Sequence, residues 1–163
     1  MRRSRAVPSS LFFAVLAVLT VMTALTPSSA SAASRVTATG SFTQLSFTVT
    51  GSRTAGALTF LNFTETDALS GSLTGTSELV GECIVFPSLE AMCKATETFT
   101  GTFDGSAGTL TFFDVVRLDT ATGAVSGQFM IIDGSGGLAH VRGTGAFSGS
   151  GGTGTYSGTF TVG

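Results

Sequence analysis

The sequence predicts an all-β fold: a single eight-stranded antiparallel up-and-down β-barrel that follows an N-terminal signal peptide. Apolar and polar residues alternate with a period of two over most of residues 34–163, which is typical of strands with one buried face. Glycine-rich turn sequences divide this region at nearly even intervals, and helix-forming stretches are nearly absent. Short connections make neighbouring strands antiparallel, and eight such strands can close without free edges. Interior glycines favour a barrel over the alternative, a β-sandwich.

The N-terminal segment, residues 1–32, has the pattern of a secretory signal peptide. Three arginines precede an almost entirely apolar run, residues 11–25, and an Ala-Ser-Ala cleavage pattern ends at Ala32. An apolar run of about 15 residues is shorter than the roughly 20 that span a bilayer. We therefore expect cleavage after Ala32 and secretion of a barrel domain, residues 33–163, from a bacterium.

The expected mature domain is mildly acidic. The signal peptide removes three of the eight basic side chains, which leaves five against ten acidic ones and a net charge of −5. No basic cluster is present in residues 33–163, so we expect neither a nucleic-acid partner nor stable membrane insertion after cleavage. A length of about 131 residues suits one domain with a proper core.

The strands are bounded by turn-forming sequences, of which Gly-Ser at residues 51–52 is the first. The alternation is clearest in residues 95–103, where threonines lie on one face and glutamate, glycine and phenylalanines on the other. The threonine face suits solvent and the phenylalanine face suits a core. We expect the strands near residues 36–49, 55–64, 69–81, 95–103, 108–118, 124–132, 140–147 and 154–162.

The two cysteines, Cys83 and Cys93, are expected to form a disulfide, as an even number of cysteines in an exported chain indicates. The nine residues between them include Pro87, so we expect the bond to join the ends of a long loop between two strands. A metal site is the alternative, but two thiolates without a nearby histidine fall short of the four ligands of structural zinc.

Two segments resemble known families. Residues 131–145 combine a glycine-rich turn, a leucine and Arg-Gly-Thr-Gly, which resembles a signature of the allene oxide cyclase-like barrel superfamily, dirigent proteins included. Residues 97–101, Glu-Thr-Phe-Thr-Gly, together with the strand through Asp114, resemble a bacterial family known as domain of unknown function 3224. The resemblance spans most of residues 36–162 and implies an eight-stranded barrel. Members of that family carry a histidine at the position of Asp114 and are generally neither exported nor disulfide-bonded.

Two acidic residues, Glu97 and Asp114, lie on strand faces that are otherwise apolar. If those faces line the barrel interior, burial raises both carboxyl pKa values, and the intervening hairpin brings the two groups together. Such a pair would anchor a ligand or act as acid and base. The alternative is that Arg117 and Arg142 neutralise them in structural ion pairs. The candidate ligand-binding residues are Glu97, Asp114, Arg142, Phe99 and Phe112.

The sequence contains little other chemistry. The single histidine, His140, is expected in a turn or on a strand surface. Residues 149–154 match Gly-x-Gly-x-x-Gly, but a strand and not a helix follows, so the segment predicts a hairpin instead of a dinucleotide site. We expect no cofactor and no metal site, and we assign no catalytic residue.

Three functions are compatible with this pattern. The first is an exported barrel that binds a small apolar or amphipathic ligand inside. The second is a barrel with a filled interior that acts through its surface or as a homo-oligomer. The third is an enzyme similar to the allene oxide cyclases or dirigent proteins. The small number of catalytic side chains favours binding over catalysis, and the fold alone does not decide between them.

Overall fold

The computed structural model describes residues 33–163, which form a closed barrel of eight antiparallel strands. Each strand pairs with the next along the chain, and the last strand pairs with the first. The strands are β1 (Ser34–Ala55), β2 (Leu58–Gly71), β3 (Leu73–Val85), β4 (Glu90–Phe103), β5 (Ser106–Asp119), β6 (Ala124–Gly136), β7 (Arg142–Ser150) and β8 (Thr153–Val162). The predicted fold class and strand number are confirmed, while the predicted signal peptide lies outside the described residues.

No helix within residues 33–163 is long and apolar enough to cross a membrane.

Two-residue turns explain why successive strands are antiparallel neighbours. Asp104 and Gly105 connect β4 to β5 with φ angles of 50° and 76°, and Gly151 and Gly152 connect β7 to β8 with 61° and 80°. Positive φ at both central residues defines a type I′ turn, whose twist matches that of the flanking strands. These turns agree with the predicted breaks at the same positions.

The first strand is longer than predicted. The turn expected at residues 51–52 is wrong, because Gly51 lies at a register shift inside the β1–β2 ladder and β1 continues to Ala55. The chain reverses at Gly56 instead, where φ is 63°. A glycine in a β-bulge has the same sequence signature as a glycine in a turn, which is why the two were not distinguished.

One end of the barrel, which we call the closed end, contains the β2–β3, β4–β5 and β6–β7 connections and is filled by side chains. Leu138 of the β6–β7 connection is fully buried in this core. The Tyr156 hydroxyl accepts a hydrogen bond from the Leu73 amide at 2.8 Å and donates one to the Ser70 carbonyl at 3.2 Å. The buried residues of the core are Ala38, Leu73, Phe99, Phe103, Leu110, Phe112, Phe129, Ile131, Leu138, Val141, Tyr156 and Phe160.

The opposite end, which we call the open end, contains the β1–β2, β3–β4, β5–β6 and β7–β8 turns. β1 pairs with β8 only as far as Thr43, and from Ser46 to Ala55 it pairs with β2 alone. The barrel wall is therefore incomplete beside the upper part of β1. Phe47 lines the interior at this gap and is nevertheless 47% exposed, so the interior is open to solvent here.

The disulfide between Cys83 and Cys93 is present. It does not join the ends of a long loop as expected, because the two cysteines are direct partners in the β3–β4 ladder, with Cα atoms 4.0 Å apart. β3 and β4 extend beyond the bond to Val85 and from Glu90, so the connection is shorter than predicted. The disulfide therefore fastens a β-hairpin near the open end.

Candidate functional site

A cavity of about 450 Å³ occupies the part of the barrel near the open end. Its wall is mostly apolar. The rings of Phe47 and Phe63 stack with centroids 5.3 Å apart, and those of Phe112 and Phe129 meet edge to face at 5.6 Å. This size and lining are typical of a small-molecule site. The phenylalanines that line the cavity are Phe42, Phe47, Phe63, Phe112, Phe129 and Phe147.

Four acidic side chains also line the cavity, and we call them the carboxyl cluster: Glu65, Asp67, Glu97 and Asp114. Side chains two residues apart in a strand point to the same face, so β2 contributes the first two. β4 contributes Glu97 and β5 contributes Asp114. Leu79 of β3 pairs with Glu65 on one side and with Glu97 on the other, so the cluster crosses four neighbouring strands.

Two members of the cluster each have one buried carboxyl oxygen without a hydrogen-bond partner. Asp114 is 2% exposed and Asp67 is 8% exposed, and the Oδ1 atom of each has no partner. The neighbouring Ser77 hydroxyl is also buried without a partner of good geometry. By contrast, Glu65 accepts a hydrogen bond from the Gln44 amide at 2.7 Å. Burying unpartnered carboxyl oxygens costs free energy, so the cluster does not serve stability.

The more deeply buried pair of carboxyls, Glu97 and Asp114, holds a proton at neutral pH. The pKa of Asp114 is raised to about 9, mainly because the group is buried and secondly because of the negative charge of Glu97. Burial also raises the pKa of Glu97, although the nearby Ser77 hydroxyl and a hydrogen bond from Asp114 offset part of the rise. Asp114 is therefore protonated near pH 7 and donates to Glu97.

In the second pair, Glu65 and Asp67, the pKa values are also raised, and Asp67 titrates near neutrality. Burial, followed by the charges of Glu65 and Glu97, raises the pKa of Asp67 to about 7. Burial raises the pKa of Glu65, and hydrogen bonds from Gln44 and Asp67 offset part of this rise. The charges of this second pair also raise the pKa of Asp114. The four carboxyls therefore form one interacting titration system.

No basic side chain among the described residues lines the cavity. The Arg53 guanidinium lies 4.0 Å from the centre of the Phe60 ring, and Lys94 forms an exposed ion pair with Glu82 at 2.8 Å. Arg142 donates to two backbone carbonyls of the β6–β7 connection. The other basic residues within 33–163 are also exposed: Arg35, Arg117 and His140. The alternative in which Arg117 and Arg142 neutralise the acidic pair is not found in this part of the chain.

The family model described as "Protein of unknown function (DUF3224)" matches residues 38–160. The chain belongs to the DUF3224 family. A solved structure from Shewanella oneidensis MR-1, a DUF3224 protein with unknown function, has a TM-score of 0.61 and 19% sequence identity. The alignment covers 78% of this chain and 96% of that chain, and at this identity the likeness shows the fold alone. No curated protein matches the chain.

The structure brings three of the five predicted site residues of this DUF3224 barrel to the cavity. Glu97, Asp114 and Phe112 line it. Phe99 is fully buried in the core of the closed end, and Arg142 lies exposed at the start of β7. The exposed position of His140 in the β6–β7 connection agrees with the expected turn or surface location.

Sequence reasoning missed two acidic residues of the site, Glu65 and Asp67. The signal was present, because residues 61, 63, 65, 67 and 69 form one alternating face of leucine, phenylalanine, glutamate, aspartate and leucine. Their side chains are thus expected beside Leu61 and Phe63, inside the barrel. Within the described part of this DUF3224 chain, no group of three or more His, Cys, Asp and Glu side chains has the arrangement of a metal site.

Proposed function

We propose that this DUF3224 protein is a small-molecule-binding barrel that holds an apolar or amphipathic ligand in its cavity. The observation that carries the proposal is the cavity of about 450 Å³, lined by six phenylalanines, with a few polar groups converging on it. Eight-stranded barrels of this size can enclose one small ligand. Only the closed end of the barrel has a filled interior, and its packed core forms the floor of the cavity.

We further infer that the protein is exported and that it belongs to the wider allene oxide cyclase-like barrel superfamily. The signal-peptide pattern supports export, and the Cys83–Cys93 disulfide is compatible with an oxidising compartment. The up-and-down order of eight strands in a closed ring supports the superfamily assignment. N-terminal sequencing of the secreted product tests the first inference, and an N-terminus near residue 33 is expected.

A second candidate function is acid–base catalysis on the bound molecule. Asp67 with a pKa of about 7 and Asp114 with a pKa of about 9 are tuned for proton transfer near neutral pH. The two functions differ in the effect of Asp114→Asn. If the barrel only binds its ligand, this change alters affinity and there is no turnover to lose, whereas for an enzyme the same change abolishes turnover of a bound substrate.

Binding is tested with a neutral apolar fluorophore, N-phenylnaphthylamine, and two tryptophan variants. Leu79 lines the cavity, and the next residue, Val80, points outwards and is 64% exposed. We expect Leu79→Trp to narrow the cavity and to reduce probe fluorescence. We expect Val80→Trp, the matched control on the same strand, to leave it unchanged.

Native mass spectrometry of the purified protein, before and after organic extraction, complements the probe assay. The expected result is a co-purified small molecule that Leu79→Trp retains to a smaller extent than Val80→Trp does. If the wild-type protein is folded and neither binds the fluorophore nor carries a small molecule, the proposed function is wrong. Circular dichroism shows whether each variant has kept its fold.

A further inference from the structure

The cavity has a strong imbalance of charge. Glu65, Asp67, Glu97 and Asp114 line it, and no lysine, arginine or histidine of residues 33–163 does. Structural carboxyls in a protein interior are normally paired with a cation or fully hydrogen-bonded. Here Asp67 and Asp114 line the cavity, and the Oδ1 atom of each is buried without a partner. These two carboxyls thus have unused acceptor capacity beside the space where a ligand would lie.

We propose that the cavity recognises a cationic amphiphile, an organic amine whose ammonium group lies among the carboxyl cluster and whose apolar body lies among the phenylalanines. This inference rests on the proposed function and names its ligand class. The ammonium would supply the hydrogen-bond donors and the positive charge that the described residues of the cavity do not. The apolar body would replace water along the aromatic wall.

The aromatic lining favours an organic cation over an inorganic one. Phe129 pairs with Asp114 in the β5–β6 ladder and Phe112 pairs with Glu97 in the β4–β5 ladder, so a cation between the carboxyls also meets aromatic rings. Aromatic faces attract ammonium groups, especially where water is excluded. A calcium ion would instead need six to eight oxygen ligands, and the described residues contain no such metal arrangement.

The raised pKa values of the carboxyl cluster predict how the binding of a cation depends on pH. Burial and mutual repulsion raise the pKa values of Asp67 and Asp114 to about 7 and about 9. A bound positive charge stabilises the ionised carboxylates and therefore lowers both pKa values. Binding must then release protons near neutral pH, and affinity must increase as pH rises from 5 to 8, by up to about tenfold per unit for each proton released.

The other groups that face the cluster do not obscure this signature. Glu65 and Glu97 have raised pKa values and change the binding in the same direction. Tyr156 lines the cavity from β8, and burial raises its pKa above 10, outside the range tested. The two cysteines from β3 and β4 are bonded to each other and do not titrate.

The experiment compares three probes with the same tail: octylammonium, octanol and octanoate. The first is a primary amine that stays protonated between pH 5 and pH 8, so its own ionisation does not affect the pH dependence. Isothermal titration calorimetry of protein purified from expression of the full chain, at pH 5 and pH 8, measures each affinity. At pH 8 we expect the cation to bind at least about tenfold more tightly than octanol does. Octanoate should bind the most weakly of the three probes. Repeating the titration in buffers of different ionisation enthalpy counts the released protons.

Glu97→Gln and Glu78→Gln provide a matched pair of variants. Both lose one negative charge on adjacent strands, but Glu97 lines the cavity and Glu78 is exposed on the outer face. We expect Glu97→Gln to reduce the preference for the cation several-fold and Glu78→Gln to leave it unchanged. If Glu97→Gln fails to fold, the comparison of probes and pH values on the wild-type protein still tests the inference.

The outcomes separate this inference from the proposed function. If octanol or octanoate binds as tightly as the cation at pH 8, the cavity binds apolar ligands without recognising an amine, and only this inference is wrong. If the folded protein binds none of the three probes, the proposed function is wrong as well. A preference for the cation that decreases from pH 8 to pH 5 supports both.

Discussion

Asp114 differs most from an ordinary aspartate among the residues of the cavity. It pairs with Ala95 on one side and Phe129 on the other, so both neighbours in the ladders are apolar. With 2% of its surface exposed, its carboxylate form lacks water, and Glu97 adds a negative charge nearby. Both effects favour the protonated form. Its neutral form can act as a donor, and its ionised form is available to a ligand that brings a positive charge.

Replacing Asp114 by asparagine should stabilise the free protein at high pH. The pKa of Asp114 is about 9 in the folded chain and about 4 when unfolded. Its contribution to stability is therefore fully present below pH 4 and is lost as pH rises through about 9. Asparagine does not titrate and can still donate to Glu97. We expect Asp114→Asn to unfold at higher urea concentration than wild type at pH 9, a gain of about 1–3 kcal/mol, and to differ little at pH 4.5.

The control for this change is Asp104→Asn in the exposed β4–β5 turn, since asparagine also tolerates the positive φ of that position. It removes the same charge without affecting the cavity. An equal gain from both variants at pH 9 would mean that net charge, and not burial of Asp114, is responsible.

At the scale of the strands, the disulfide supports the hairpin that forms one wall of the cavity. Cys83 and Cys93 both line the cavity, and they pack with Phe63 and Ala95 in a buried cluster separate from the core of the closed end. Glu97 follows Cys93 by four residues on the same strand face. The bond therefore holds together the open-end part of β3 and β4, where the barrel interior is not filled by other side chains.

Removing the disulfide should destabilise the protein moderately. The bond closes a short loop, with a sequence separation of 10, and the chain-entropy model gives about 2–3 kcal/mol for a loop of this length. We expect the double substitution Cys83→Ala, Cys93→Ala to lower the free energy of unfolding by this amount in urea titrations. A reducing agent should produce a similar loss in the wild-type protein and none in the variant. Unchanged unfolding midpoints in both cases would contradict this prediction.

The strands also show how far local sequence signals extend. The period-two alternation placed Glu97 and Asp114 on inward faces, and the same alternation would have placed Glu65 and Asp67 there. The strand ends were predicted less accurately than the strand faces, because Gly51 in a bulge is locally indistinguishable from a glycine in a turn. Arg142 was misplaced into the site because an Arg-Gly motif does not specify which face of a strand the side chain occupies.

At the scale of the whole molecule, the cavity results from unequal strand lengths. β1 has 22 residues, whereas β7 has 9 and β8 has 10. The β7–β8 hairpin therefore ends where Gly152 accepts a hydrogen bond from the amide of Gln44, and the upper part of β1 has no β8 partner. Alternation within one strand contains no information on how far its neighbours extend. The sequence thus predicted the barrel but not which half of it is hollow.

The whole barrel should be most stable at acidic pH and should become less stable towards pH 9. Burial raises the pKa values of all four carboxyls, with Asp67 at about 7 and Asp114 at about 9. A raised pKa contributes stability below the unfolded-state pKa, near 4, and loses it as pH rises through the folded-state pKa. We expect the thermal unfolding midpoint to fall steadily between pH 5 and pH 9.

The double variant Asp67→Asn, Asp114→Asn should flatten this dependence, because it removes the two groups whose pKa values are raised into this range. Octylammonium should raise the wild-type midpoint more at pH 9 than at pH 5, since the ligand binds the ionised cluster and stabilises the folded state by mass action. Differential scanning fluorimetry across this pH range measures all three curves. A wild-type midpoint that rises with pH would mean that the carboxyls are ionised and stabilised in the free protein, and that the cavity already contains a compensating charge.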